Sequence, residues 1–350
     1  MRMPETRLVR VNPRGNFGVA IPVGRRAVIY GVLTSVAVLT AATLTLTLGD
    51  LGIPLRRLPV LLVEGPQGPE TFVLERLRGP RVLVAVGAGA ALAVAGTLFQ
   101  TVTRNPLASP DIIGITAGAG AGAAAASLFW PGTVPVPVGA VAGAAVAAIT
   151  VYLSTGRGFS SPSRVIIAGI AVAAMAIAFT QYVVLIGMRD ESTALATYIA
   201  GSLSARSWTQ VATISIAIAV LIPLAMTFGQ RLRLVEMGDD VADALGARAA
   251  PTRTWSIVVA TALATAAVSV AGPVAFVSLT APQIAKRCTK APGANVVPTA
   301  LTGAFILVIA DLGTQHVSVV EDLPVGVLTA GIGGLYLGYL LTREWKRGTM

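Results

Sequence analysis

The chain has 350 residues, of which 54% are hydrophobic and only 12% are charged. That charged share is about half of what soluble domains usually contain. The formal net charge is +10, and the single cysteine, Cys288, excludes an intrachain disulfide and a multi-cysteine metal site.

Eight stretches run for twenty or more residues without a Lys, Arg, Asp or Glu. A helix needs about 20 apolar residues to cross the hydrocarbon core of a bilayer, and it satisfies its own backbone polar groups there. Two stretches, 112–156 and 254–285, are too long for one crossing, and proline and glycine interrupt them at Trp130–Gly132 and Gly272–Pro273. The sequence therefore predicts an all-α polytopic membrane protein with ten membrane helices.

In chain order, these predicted helices cover about 27–48, 82–102, 112–129, 137–154, 164–187, 207–229, 254–271, 274–287, 295–310 and 324–342. A short helix at the outer surface is expected over Ser192–Ala205, and 49–80 forms a long outside segment. Together they define one transmembrane domain, 27–343, between an N-terminal tail, 1–26, and a C-terminal tail, 344–350.

The basic residues fix the orientation. With the N-terminus inside, 19 of the 26 Lys and Arg residues fall on the cytoplasmic side and 7 on the outer side. This is the bias of the positive-inside rule. The distribution of basic residues therefore indicates the membrane topology and does not indicate a surface that binds nucleic acid. Both tails and the longest inside loop, 230–253, are expected in the cytoplasm of a bacterium, with the helices in its plasma membrane.

Small residues recur every fourth position in two predicted helices, at Gly114, Gly118 and Gly122 and again at Gly139 and Gly143. Such spacing favours close helix packing in lipid, with mobile pore-lining helices as the alternative.

A weak internal sequence similarity, which we call the internal echo, supports an inverted repeat. The segment near 93–112 resembles the segment near 269–284, and the helices that contain them are expected to cross the membrane in opposite directions.

No catalytic constellation is present in the sequence. The only histidine, His316, is expected in an outside loop, and no phosphate-binding G-x-x-x-x-G-K-[ST] motif occurs. Asp111 and Asp311 are expected at helix ends in structural roles. We predict a protein that is not an enzyme, binds no metal or cofactor directly and does not hydrolyse ATP itself.

Two polar segments remain informative. In the cytoplasmic loop, Asp239 and Asp240 suit the N-terminus of a short helix that Gly246 ends, with Val241, Ala244 and Leu245 on one face. That helix is either a surface cap or a docking element for another protein.

On the outside, Arg78 and Arg81 run against the charge bias. Either acidic residues of a partner compensate them or they reach lipid phosphate groups.

At these residues the chain resembles the permease family of ATP-binding-cassette (ABC) importers for ferric siderophores, haem and cobalamin. The motifs that carry the resemblance are Arg78–Arg81 (RGPR), Val94–Gln100 (VAGTLFQ), Arg104–Gly114 (RNPLASPDIIG), Gly201–Leu203 (GSL), Gly238–Gly246 (GDDVADALG), Phe276–Pro282 (FVSLTAP) and Glu321–Gly326 (EDLPVG). They span about 75–340 and follow one another in the order that the family has. Their amino-acid sequences are most similar to those of importers of enterobactin-type siderophores.

The resemblance implies a type II ABC importer permease fold with two permease subunits, two cytoplasmic ATPases and an extracytoplasmic binding protein. It implies that Arg78 and Arg81 dock the binding protein. A coupling helix that contacts the ATPase is implied at Gly238, Asp239, Asp240, Ala242, Leu245 and Gly246. Motif residues near the pathway or in helix packing are implied at Gln100, Asn105, Pro106, Pro110, Gly114, Glu321, Pro324 and Gly326.

The sequence departs from the family pattern at Ser278, Gln283, Gln315 and Gly334. Gln315 replaces an arginine that the family usually has, which favours a heterodimer whose partner permease supplies the missing contact.

The expected function is ATP-driven import of iron as a ferric siderophore, with the ATP used by the partner ATPases. A cobalamin or haem importer of the same family is one alternative, and an ion-coupled secondary transporter is another.

Overall fold

The computed structural model describes residues 6–11, 19–49, 51–156, 162–187, 198–291, 293–317 and 323–346. From Arg25 onward its regular elements are helical. The α-helices are α1 (Arg25–Thr47), α2 (Leu58–Glu64), α3 (Pro69–Phe72), α4 (Gly79–Thr103), α5 (Ile115–Phe129), α6 (Val136–Ser154), α7 (Pro162–Gly187), α8 (Trp208–Thr227), α9 (Gly229–Met237), α10 (Asp239–Ala244), α11 (Ala249–Ala271), α12 (Val277–Thr289), α13 (Val296–His316) and α14 (Val325–Lys346). Two 3₁₀ turns, Leu55–Arg57 and Pro110–Ile113, and a π turn, Val73–Leu77, complete the helical set.

Helices occupy all ten positions that the sequence predicts. Seven of them are long and apolar enough to cross a membrane, and α5 and Val325–Tyr339 of α14 are shorter apolar helices. The tenth, α12, has 13 residues and ends in a basic turn. Of the predicted surface helix Ser192–Ala205, residues 192–197 lie outside the described residues, and the described remainder is helical only at 198–199 and continues as turns and irregular chain, so the helix does not extend to Ala205.

Two differences from the sequence prediction concern α13 and the N-terminal tail. Helix α13 continues to His316, so His316 ends a helix and Asp311 lies inside it, contrary to the predicted loop and helix end. The helix continues past Asp311 because its carboxylate is paired with Arg81 of α4.

The tail, for which no structure was predicted, contains an antiparallel hairpin of β1 (Thr6–Val11) and β2 (Val19–Gly24), with Thr6 opposite Gly24 and Val11 opposite Val19. Both strands are rich in valine, which favours extended chain.

Helix α4 forms the centre of the molecule. In an 18-residue apolar stretch within 69–103, 89% of residues are buried, against 11% in such a stretch within 164–186 in α7. Helices α8, α11, α12 and α13 pack around it. At its crossing with α13, a Cβ atom on Gly89 would lie 2.3 Å from the carbonyl oxygen of Gly303. Glycine is required there because the two backbones touch.

The glycine pattern in α5 and α6 produces the same kind of contact, so the predicted close packing is confirmed. A Cβ atom on Gly122 would lie 2.1 Å from the carbonyl oxygen of Gly139, and one on Gly143 would lie 2.1 Å from that of Gly118. Gly114 does not share this role. It adopts φ 75° between the 3₁₀ turn and α5, a conformation that favours glycine.

The two units of the internal echo lie in α4 and α11, which pack against each other. Beyond this shared start, their local structures differ. The first unit continues into the loop and 3₁₀ turn that lead to α5, whereas the second continues into α12, with Pro282 inside that helix.

Candidate functional site

The loop that the sequence predicts to be cytoplasmic contains two short helices set at a sharp corner. Gly238 lies between α9 and α10, which begins at Asp239, and its φ of 128° is a value that residues with a side chain rarely adopt. Gly246 has φ 79° and follows the end of α10. The short helix expected from the sequence is therefore present, and a glycine marks each end of it.

The two faces of α10 differ. Ala242 is fully buried against α9 and the start of α11, whereas Val241 and Leu245 are 40% and 62% exposed. A helix that merely covered the protein surface would bury its large apolar side chains, and α10 instead directs them to the outside. The exposed face favours the docking interpretation over the surface cap.

Asp239 holds α10 in place through two arginines. Nη2 of Arg253 in α11 donates to its two carboxylate oxygens at 2.8 and 2.7 Å, and Nη2 of Arg104, at the end of α4, donates to Oδ1 as well. Hydrogen bonding by Arg253 lowers the pKa of the Asp239 carboxyl below its usual value. Asp239 therefore stays charged and bonded to both arginines, although its side chain is 43% exposed, and Asp240 is exposed as well.

A cavity of about 330 Å³ lies beside this loop, between α4, α12 and α13. Two glutamines join its walls. Nε2 of Gln283 donates to Oε1 of Gln100 at 2.6 Å, and Nε2 of Gln100 donates to the carbonyl oxygen of Leu279 at 3.1 Å. Gln283 also lies 3.3 Å from the carbonyl oxygen of Pro106. Gln283, one of the departures from the family pattern, thus connects two residues of the family motifs.

The other motif residues of this region shape the backbone between α4 and α5. Asn105 Oδ1 accepts the N–H of Leu107 at 2.9 Å, which closes a turn after α4. Pro110 opens the 3₁₀ turn that leads to Gly114. These positions serve the local fold, and they place no side chain of their own in the cavity.

At the opposite end of α4, Arg81 forms a buried ion pair. Its Nε lies 3.0 and 2.9 Å from the carboxylate oxygens of Asp311, and its Nη2 lies 2.8 Å from Oδ1. Nε2 of Gln315 donates to Oδ2 of the same carboxylate at 2.8 Å. Arg78 is also buried, and its Nη1 donates to the carbonyl oxygens of Thr45, at 2.9 Å, and of Leu48. Neither arginine is freely exposed at the surface.

Both arginines line a second cavity, of about 290 Å³, together with Ser202, Gln315, His316 and Pro324. Nε2 of His316 is buried without a hydrogen-bond partner among the described residues. Gly326 lies two residues after Pro324 and packs tightly, because a Cβ atom there would lie 2.2 Å from the carbonyl oxygen of Ala200. Glu321, the remaining motif residue, lies outside the described residues.

The sequence profile of the FecCD transport family matches residues 36–343 of the chain. The chain belongs to the FecCD transport family.

Curated members of this family share about a third of its residues. The ferric enterobactin transport system permease protein FepG of Escherichia coli (strain K12) is 35% identical over 93% of this chain and 99% of its own length. The Fe(3+)-citrate import system permease protein YfmE of Bacillus subtilis (strain 168) is 38% identical over 79% of this chain and 84% of its own length.

A solved structure described as an inward-facing conformation of a metal-chelate type ABC transporter has the same fold, with a TM-score of 0.80. It covers 89% of this chain and 98% of its own, at 23% identity. The family recognised from the motifs, the permease fold and the predicted class, a membrane permease of an iron–siderophore ABC importer, are confirmed by these comparisons.

The sequence did not reveal the contacts that four residues make at these sites. Arg104 and Arg253 are the partners of Asp239, and Asp311 and Gln283 connect helices at the two ends of α4. The separations of these contacting residues reach 230 positions, so no local spacing could reveal them. One signal was available, because Asp311 and Gln315 are four residues apart on a helix and face each other.

Proposed function

We propose that this FecCD chain is a permease subunit of an ATP-driven importer that carries a ferric siderophore inward across the bacterial plasma membrane. A second permease subunit, two cytoplasmic ATPases and an extracytoplasmic binding protein complete the importer. The single observation that carries the proposal is the exposed apolar face of α10, a helix that Asp239 joins to two arginines by hydrogen bonds.

The cytoplasmic end would engage the ATPase through Val241 and Leu245, which offer a compact apolar contact of the kind that fills a groove in a partner. The ionised Asp239 is used inside the loop, so it fixes the angle of α10 while the apolar side chains make the contact. ATP binding and hydrolysis would then displace α10 and change the packing of the helices to which it is attached.

The outer end would receive the binding protein at the cavity that Arg78 and Arg81 line. Asp311 neutralises one of these two guanidinium groups, so the cavity keeps an excess of positive charge. Such a surface attracts acidic side chains of a docking protein and fixes its orientation.

The cargo proposal rests on relatives whose names refer to ferric enterobactin and Fe(3+)-citrate. Iron would travel inside its chelator, so the protein needs no metal ligands of its own. Position 315 carries glutamine where the family usually has arginine. This favours a heterodimer in which the partner permease supplies the missing contact.

The test is uptake of radiolabelled ferric enterobactin and ferric citrate by liposomes that contain the purified complex. We expect uptake that requires enclosed ATP and an external loaded binding protein. Leu245→Asp should abolish uptake and release the ATPase, because it places a charge in the apolar contact. The control is Ala250→Asp, which adds the same charge to the exposed first turn of α11 and should leave uptake unchanged. Uptake that persists without ATP when an ion gradient is imposed would contradict the proposal and indicate a secondary transporter.

A further inference from the structure

Helix α4 connects the two ends of the molecule. Arg81, its third residue, lies at the outer cavity, and Arg104 directly follows its last residue at the inner one. At 1.5 Å per residue its 25 residues cover about 37 Å, more than the thickness of the hydrocarbon core. Its only proline, Pro80, is in the first turn, where it does not interrupt the helix.

The packing of α4 couples it firmly to its neighbours. A Cβ atom on Gly96 would lie 1.7 Å from the carbonyl oxygen of Ser278 in α12, and one on Gly87 would lie 2.9 Å from the side chain of Ile214 in α8. Such crossings have no spare space, so α4 cannot slide past these helices without separating from them. A displacement at one end of α4 is therefore transmitted along its length.

Arg104 is held in an unusual conformation at the inner end of α4. Its φ of 52° and ψ of 30° are left-handed, a region where residues with a side chain are uncommon and where glycine or asparagine usually ends a helix. The side chain makes two contacts in return. Nε donates to the carbonyl oxygen of Val235 in the last turn of α9 at 2.8 Å, and Nη2 donates to Asp239 at the start of α10.

Other contacts also join this loop to the membrane helices. Arg253 of α11 donates to both carboxylate oxygens of Asp239, and a weaker pair involves α12. Nζ of Lys286 in α12 lies 3.5 Å from Oε1 of Glu236, and its side chain is 55% exposed. Exposed pairs of this kind contribute little. The Arg104–Asp239 pair is itself 40% and 43% exposed, so the role of Arg104 depends also on its 2.8 Å hydrogen bond to the carbonyl oxygen of Val235. Arg104 therefore attaches both α9 and α10 to α4 at their shared corner, and Lys286 offers a matched comparison at the same surface.

We propose that Arg104 is a positioning residue for energy coupling, which fastens the α9–α10 corner to α4 so that the ATPase-facing helix and the outer docking end move together. This inference rests on the proposed function and adds to it the residue through which the two ends communicate. It predicts that loss of the Arg104 side chain separates docking from ATP hydrolysis without separating the subunits.

The test uses Arg104→Gly in the purified complete complex. Glycine suits the left-handed backbone, so this variant removes the side chain without adding strain. We expect the ATPase to copurify in normal amount and basal hydrolysis to persist. Stimulation by the loaded binding protein should fall by about fivefold or more, the range of typical coupling energies. Asp239→Asn should show the same loss, and Lys286→Gln should keep full stimulation.

A second measurement needs only the permease and separates this inference from the proposed function. A spin label at Leu245→Cys, in a Cys288→Ser background, should gain mobility in Arg104→Gly and stay unchanged in Lys286→Gln. Unchanged mobility, stimulation retained within about twofold, or loss of the ATPase from the Arg104→Gly complex would each overturn the role of Arg104. A wild-type complex that contains no ATPase would instead refute the proposed function, and the label would still decide the role of Arg104.

Discussion

The ion pair between Arg81 and Asp311 should be the most sensitive polar contact in the molecule. The side chain of Asp311 is 2% exposed and that of Arg81 is 17% exposed, so water solvates neither charge fully if its partner is lost. Removing one partner of a buried pair typically costs about 3–5 kcal/mol, because an uncompensated charge stays behind. We therefore expect Asp311→Ala and Arg81→Ala each to lower the free energy of unfolding by about that amount.

The double variant distinguishes a specific pair from general damage. With both groups removed, no charge is left uncompensated, so its cost should be about 2–3 kcal/mol below the sum of the single costs. The assay is unfolding in detergent micelles titrated with dodecyl sulfate and followed by circular dichroism. Arg76→Ala, at an exposed arginine of the same outer segment, should change stability by less than about 0.5 kcal/mol. Single costs that add to within about 0.5 kcal/mol would refute the reasoning.

Three further substitutions test the packing and the inner cavity by the same assay. Gly303→Ala should cost about 1–3 kcal/mol or more because its Cβ atom would lie 2.2 Å from the backbone of α4, and Gly331→Ala, which meets nothing within 4 Å, should be nearly neutral. Gly238→Ala should cost about 1–3 kcal/mol from backbone strain at φ 128°, with equal stability contradicting the sharp corner before α10. Gln283→Leu should cost about 1–3 kcal/mol because Gln100 loses a buried partner, and a stability gain would show that this link is dispensable.

The membrane helices could be predicted closely because their signal is local. A run of about 20 residues without charge directly indicates that a segment lies in the hydrocarbon core of a bilayer. The predicted end of α13 was wrong because the signal is only local. Asp311 interrupts the charge-free stretch, and its neutralising partner, Arg81, is 230 positions away in the sequence. A charged residue ends a run of uncharged residues in the sequence, but the helix can continue past it when another helix supplies the opposite charge.

The candidate sites were predicted less completely. Spacing located α10 and its apolar residues, because a short helix with a consistent face is visible in nine positions of sequence. It could not show that Val241 and Leu245 face outward, since exposure depends on α9 and α11. Arg78 and Arg81 were identified as unusual from their side of the membrane, whereas their burial against α1 and α13 follows from tertiary packing alone.

The proposed function requires α10 to face the cytoplasm and the Arg78–Arg81 end to face outside. Site-specific labelling tests this orientation most directly. In a Cys288→Ser background, single cysteines at Leu245 and at Arg76 would be exposed to a membrane-impermeant thiol reagent in intact cells and in inverted vesicles. The account predicts labelling of the Arg76 position only in intact cells and of the Leu245 position only in inverted vesicles. Labelling of the Leu245 position from outside intact cells would contradict it, because α10 could then not meet a cytoplasmic ATPase.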